Sequence, residues 1–186
     1  MKTVVFPLAG NEGLAHTIAR GIGAEIGALR VRRFPDGESY VRYQSAVEGR
    51  RTILVCTLDR PDDKFLPLVF AAAAARDLGA VEVGLVAPYL AYMRQDRQFK
   101  PGEAVTSTHF AQALGRWVDW LVTVDPHLHR RSSLSEIYPV PTATLHAAPA
   151  ISAWIREAVT NPVLIGPDGE SEQWVGAVAK DAGAPY

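Results

Sequence analysis

Residues 52–88 read TILVCTLDRPDDKFLPLVFAAAAARDLGAVEVGLVAP. Thr52 to Leu58 and Val81 to Pro88 are near-continuous apolar runs, the pattern of strands buried on both faces. Between them, a helix capped by Asp62 or Asp63 is expected to run to Leu78, where Gly79 ends it. A strand, a helix and a strand in this order form a right-handed parallel crossover. Working outward, the alternation repeats. Thr3 to Leu8 is a short β-type run. Glu12 to Gly23 is helical, with Leu14, Ile18 and Ile22 on one face. Leu29 to Phe34 and Ser39 to Tyr43 flank a turn. Downstream, Thr106 to Trp117 is helical, Trp120 to Val124 a strand, Pro149 to Val159 a helix, Val163 to Ile165 a strand and Glu170 to Ala182 a helix. The pattern predicts an α/β fold, a mostly parallel sheet flanked by helices, with ligands beyond the carboxyl ends of its strands.

The composition narrows the class. The 186 residues are 48% hydrophobic, with 19 Lys and Arg against 20 Asp and Glu and a net charge of −1. That balance argues against bulk capture of nucleic acid or of an anionic membrane. No apolar run approaches the ~18 residues that span a bilayer. Cys56 is the single cysteine, so the chain has no intramolecular disulfide, and a reducing, cytoplasmic setting is the natural reading. A Pro- and Ala-rich stretch, Pro139 to Pro149, suggests a boundary between a first domain at 1–145 and the start of a second at 146–186. The end of the chain reads as a lead-in to a further strand.

Four polar clusters fall at turns and strand ends. The segment after Val86 contains Tyr92, Arg94, Gln95, Asp96 and Arg97. Arg pairs with phosphate oxygens in a fork, while Gln and Asp hydrogen-bond a base or ribose; a solvated loop with an Arg–Asp pair is an equal reading. Asp125 and His127 follow the strand ending at Val124. A carboxylate and an imidazole at this spacing can serve Mg²⁺ shared with phosphates, or zinc with His129, or merely brace the loop. Asp168, in Pro167-Asp168-Gly169, can bind a metal or ribose hydroxyl or cap a helix. Phe34-Pro35-Asp36-Gly37-Glu38 alone is an ordinary hairpin turn. Gly21-x-Gly23-x-x-x-Gly27 ends a helix, where a dinucleotide fingerprint would open one.

Taken together, Phe34-Pro-Asp-Gly-Glu38, Tyr92-x-Arg94-Gln95-Asp96-Arg97, Asp125-x-His127 and Pro167-Asp168-Gly169 resemble, in order and spacing, the ribose-phosphate pyrophosphokinases. The resemblance implies two similar phosphoribosyltransferase-type domains, the second incomplete here. It implies Mg²⁺-dependent transfer of the diphosphoryl group of ATP to ribose 5-phosphate by a homo-oligomer. Phe34, Asp36, Gly37, Glu38, Arg94, Gln95, Asp96 and Arg97 would hold ATP, the hairpin residues reaching an adenine site on a neighbouring subunit. His127, Asp168 and Asp125 would be linked to Mg²⁺. The family's basic catalytic loop and its ribose 5-phosphate loop match no residue here, so these 186 residues alone are expected to be inactive. Gln98, Pro126 and the acidic, bulky Glu170 to Trp174 depart from the family pattern and mark a divergent subgroup. A non-catalytic regulatory homologue is the alternative; a zinc hydrolase built on His127 and His129 is a third reading.

Overall fold

A computed structural model describes residues 2–167 and 169–186, apart from the side chains of Glu170 and Gln173. The chain forms two compact units, residues 1–144 and 145–186. The first opens with β1 (Thr3–Pro7), α1 (Glu12–Ile22), β2 (Glu25–Ile26), β3 (Leu29–Arg33), β4 (Ser39–Tyr43) and β5 (Arg51–Val55). There follow α2 (Pro61–Asp77), β6 (Glu82–Ala87), α3 (Thr106–Gly115), β7 (Trp120–Val124), a 3-10 turn at Leu134–Glu136 and β8 (Thr142–Leu145). Six strands form one sheet in the order β2-β1-β5-β6-β7-β8, and β3 and β4 form a separate antiparallel hairpin. The ladders of β1 with β2 and β5, of β5 with β6, and of β6 with β7 are all parallel.

The two-sided burial expected of the central strands is present. Val4, Phe6, Leu54, Val83, Leu85 and Leu121 pack with Leu68, Ala71, Ala72 and Ala75 of α2 and with Phe110, Ala111 and Leu114 of α3. On the other face, Val5, Ile53 and Val55 meet α1. Burying each such Val, Leu or Phe contributes about 1.5–3 kcal/mol. Close approach dictates Gly84 of β6, where a Cβ would lie 2.0 Å from the Trp120 ring of β7.

Local expectations needed correction in four places. Helix α1 touches the sheet through Ala15 and Ala19, while Leu14 and Ile22 are exposed, because small residues let the helix lie close. Neither Asp62 nor Asp63 caps α2: its N-cap is Arg60, Pro61 opens the helix, and both carboxylates sit in the first turn. Strands β2 and β8, both unanticipated, are short and have at most half-buried side chains. Val163 to Ile165 is not a strand; a hydrogen bond from Leu164 N–H to the Pro185 carbonyl at 2.9 Å stands where a ladder was expected.

The second unit contains α4 (Ala148–Ala158), a 3-10 turn at Gly169–Ser171 and α5 (Glu172–Ala182). The helices are joined by Ser152, whose hydroxyl reaches the carbonyls of Ala148 at 2.8 Å and Val178 at 3.2 Å.

Candidate nucleotide site

Two neighbouring parallel strands, β6 and β7, deliver two of the polar segments to the same edge of the sheet. Each connection contains a backbone that side chains rarely adopt: Tyr92 has φ 59° and Asp125 φ 39°. Such residues cost on the order of 1–3 kcal/mol and persist only where their surroundings hold them. Tyr92 is held on both sides. Its ring packs on Phe110 at 4.8 Å, and its hydroxyl donates to the Asp62 carboxylate, which raises the phenol's pKa. Behind it lies a cleft of about 390 Å³ lined by Asp62, Phe65, Tyr92, Thr106, His109 and Phe110.

The four residues of the Arg94–Arg97 run divide into different roles. Arg94 is exposed and makes no ion pair among the described residues. Gln95 braces the start of α3: its carbonyl accepts the Ser107 N–H at 3.3 Å, and its side-chain oxygen accepts the Thr106 hydroxyl at 3.3 Å. The amide NH₂ of Gln95 makes no hydrogen bond among the described residues. Asp96 turns inward. Its side chain is 2% exposed and takes Arg130 Nη1 at 3.1 and 3.3 Å. Arg131 donates to the Asp96 carbonyl at 3.4 Å and to the hydroxyls of Ser107 and Thr108 at 3.4 and 3.3 Å. Arg97 lies over the Phe99 ring at 4.9 Å, and Arg130 over the same ring at 5.3 Å.

Arg130 and Arg131 follow β7, so the β6 and β7 loops are tied together by one carboxylate. Neither arginine was singled out in the sequence. The available signal was two adjacent cations just beyond Asp125-x-His127. Glu136, from the 3-10 turn, supports the same loop: Ser132 N–H and Oγ both donate to it at 2.7 Å, which lowers its pKa.

Of the residues linked to metal by sequence, Asp125 is exposed, and the half-buried rings of His127 and His129 meet edge to face at 4.0 Å. Asp168 lies outside the described residues. Among the described residues no three His, Cys, Asp or Glu side chains gather into a metal cage. Cys56 is buried, and desolvation pushes its thiol up to about 12, which disfavours the thiolate.

The hairpin residues stand apart from these loops. Phe34, Asp36, Gly37 and Glu38 are all exposed at the tip. The turn is closed by Phe34 N–H to the Glu38 carbonyl at 2.8 Å, Gly37 N–H to the Phe34 carbonyl at 2.9 Å and Glu38 N–H to Asp36 Oδ1 at 3.1 Å. Gly37 has φ +93°, which explains the glycine. Arg32 stacks on both Phe34 and Tyr40 at 4.3 Å, leaving a flat cation-aromatic surface in solvent.

An open, mostly parallel sheet with polar, cation-bearing loops beyond its carboxyl ends is an α/β arrangement in which ligands bind at those loops. Residues 3–117 match the model of the N-terminal domain of ribose phosphate pyrophosphokinase, and the chain belongs to that family. Ribose-phosphate pyrophosphokinase of Halobacterium salinarum is 35% identical over 158 residues, covering 85% of this chain and 55% of that protein. The corresponding protein of Methanopyrus kandleri is 34% identical over 183 residues, covering 96% and 62%. The chain thus spans only 55% to 62% of the length of these two relatives. The fold matches the crystal structure of phosphoribosylpyrophosphate synthetase from Mycobacterium smegmatis, with a TM-score of 0.84 and 20% identity, over 100% of this chain and 63% of that one. No helix among the described residues is long and apolar enough to cross a membrane.

Proposed function

We propose that this chain is the nucleotide-holding part of a cytoplasmic ribose-phosphate diphosphokinase serving nucleotide biosynthesis, with residues 1–145 as its first phosphoribosyltransferase-like domain. The enzyme would transfer the diphosphoryl group of ATP to ribose 5-phosphate, giving phosphoribosyl pyrophosphate and AMP. One observation carries the reading: Arg94 is an exposed cation with no ion pair among the described residues, on a loop whose next carboxylate, Asp96, is spent on holding that loop in place. A polyphosphate needs such a cation, and pre-positioning it lowers the ordering cost of binding.

Within this reading Arg94 pairs with phosphate oxygens, Arg97 adds positive charge and Gln95 donates through its free NH₂. Asp96 is reassigned from ATP contact to loop anchor. Phe34, Asp36, Gly37 and Glu38 form the wall of an adenine site completed by a second copy of the chain, which is why the homo-oligomer belongs to the proposal.

The donor set around β7 suits Mg²⁺ shared with phosphates better than a protein cage. Mg²⁺ usually keeps several waters and takes one or two protein carboxylates plus substrate oxygens. Asp125 supplies one such carboxylate and His127 an imidazole two residues on, while Asp168, which the resemblance also links to Mg²⁺, lies outside the described residues. The bound ion would neutralise charge on the transferring group. Proton handling and substrate orientation would fall to protein side chains.

The test is calorimetric titration of the chain with ATP, with and without Mg²⁺, beside an assay of AMP release with ribose 5-phosphate on both residues 1–186 and the complete gene product. Saturable Mg²⁺-dependent binding by residues 1–186, with turnover only in the complete product, is expected. Binding without turnover in either would identify a regulatory homologue. Absence of binding in both would overturn the reading.

A further inference from the structure

The direction of the sheet reverses between β1 and β5. From β1 the chain crosses to β2 on one side; from β5 it crosses to β6 on the other. Outgoing connections part at such a point and leave a crevice beyond the carboxyl ends of the two strands, where open α/β sheets bind ligands. The Arg94 and His127 loops leave from β6 and β7, so they do not occupy it.

This crevice is built. Asn11, only 2% exposed, ties its two sides together. Its side-chain oxygen accepts Thr57 N–H at 3.0 Å and Thr57 Oγ at 2.7 Å, and its NH₂ donates to the Leu8 and Ala9 carbonyls, both at 3.2 Å. Over it lies a cavity of about 230 Å³, bounded by the β1 loop, the first turns of α2 and the β3–β4 hairpin. Its apolar wall includes Ala9, Val31 and Pro67; its polar side has Arg33, Ser39 and Lys64.

The charges favour an anion. Three cations, including Arg32, face one carboxylate, Asp63. Asp63 is already occupied by Arg33, whose Nη2 reaches its Oδ1 at 2.9 Å and its carbonyl at 3.3 Å. A guanidinium has five N–H donors, so Nη1 and Nε of Arg33 remain to be used. Lys64 donates to the Thr57 carbonyl at 2.8 Å and to Asp59, which leaves one of its three donors. The Ser39 hydroxyl has no hydrogen bond among the described residues. No side chain caps α2, so orphan N–H groups of its first turn add positive potential at the same place.

We propose that this crevice is an anion site, distinct from the Arg94 loop, for a small phosphate monoester. The phosphate would take donors from Arg33, Ser39 and Lys64, and a compact organic body would lie on Val31 and Pro67. The volume falls below the roughly 300–1,000 Å³ of clefts for drug-sized ligands, which leaves no room for a whole nucleoside triphosphate. Arg33 and Ser39 are register partners at the last rung before the hairpin tip. A phosphate bridging them would therefore fix the orientation of Phe34 to Glu38, and occupancy would regulate how the tip is presented.

The experiment is amide NMR titration of the isotope-labelled chain with phenyl phosphate and with inorganic phosphate, at ionic strength matched with chloride. Saturable shifts are expected at Ala9, Ser39 and Lys64, with phenyl phosphate the tighter ligand. Ser39→Ala, which breaks no side-chain hydrogen bond among the described residues, should weaken binding a few-fold. Arg33→Gln with Ser39→Ala should weaken it about tenfold or more by removing a charge-assisted donor. Arg94→Ala should leave the shifts in place whether or not the Arg94 loop holds ATP. Shifts confined to residues 94–97, loss of binding in Arg94→Ala, or no saturation beyond chloride would overturn the site. Equal affinity for the two phosphates would overturn the monoester assignment.

Discussion

The β6 loop and the β3–β4 hairpin both carry residues proposed for ATP, and they are made in opposite ways. The loop spends its own polar groups on itself. Asp96 is buried against Arg130, Gln95 holds the start of α3, Tyr92 is pinned to Asp62, and Arg94 is left facing solvent. The hairpin tip spends almost nothing. Its turn is closed by three local hydrogen bonds, its side chains are exposed, and its cation-aromatic stack of Arg32, Phe34 and Tyr40 covers no core. A braced loop can bind within one chain. An exposed tip acquires specificity only against another surface, as the proposed second copy would provide.

The largest separation between the two regions is expected from Asp96→Ala. It strips a buried carboxylate from Arg130 while leaving the backbone carbonyl that Arg131 uses. Because Arg130 is 41% exposed, water recovers part of the loss. A destabilisation of about 1–3 kcal/mol is expected, below the 3–5 kcal/mol of a fully buried broken pair. Melting temperature should fall by several degrees and ATP affinity with it. Unchanged melting and affinity would show that the loop is not anchored by this carboxylate.

Arg94→Ala should separate binding from folding. It removes a charge-assisted contact worth about 1.5–3 kcal/mol, roughly ten- to a hundredfold in ATP affinity, with melting within a degree or two of the parent. Full affinity in calorimetry would remove Arg94 from the site.

Phe34→Ala tests the other side of the comparison. The ring's contacts with Arg32 at 4.3 Å and Tyr40 at 6.0 Å are exposed, so the stability change should stay within about 1 kcal/mol. Its effect on ATP affinity should be seen only at protein concentrations where the chain self-associates. An equal effect on monomer, by sedimentation and titration in parallel, would place Phe34 in a site within one chain.

The same contrast explains what could be read in advance. Strands β5 and β6 were legible because burial on both faces makes them near-continuous apolar runs. Thr142–Leu145 of β8 and the two-residue β2 lack such runs, so nothing local marks them. The helical stripe Leu14, Ile18, Ile22 was legible only in part: Ile18 packs against the core beside Ala15 and Ala19, while Leu14 and Ile22 are exposed because the small residues let the helix lie close. The Arg94–Arg97 run was visible as a cluster, but the inward turn of Asp96 depends on Arg130, 34 residues away, which periodicity and spacing do not encode. The crevice at β1 and β5 was not legible at all: its donors come from three separate elements and form no motif.

The smallest expected effect lies in Glu136, and its sign distinguishes a braced loop from a solvated one. Its carboxylate accepts Ser132 Oγ and the Ser132 N–H, and Arg131 Nη1 stands 4.0 Å away. These partners, the Ser132 hydroxyl first, hold its pKa below the ordinary 4.5. A carboxylate lowered in the fold stabilises above its unfolded pKa, and the contribution is lost as pH falls through the lower folded value. Melting measured from pH 6 downward should therefore show an acid-side loss that Glu136→Gln reduces. The amides of Ser132 and Ser133 should follow the Glu136 titration in NMR, and that of Gly37 at the hairpin tip should not. Because the group is exposed, salt should shrink the Coulombic part from Arg131 while leaving the hydrogen-bonded part. A Glu136 carboxyl titrating at or above 4.5 would mean that the β7 loop is solvated, and the contrast with the hairpin would fail at that point.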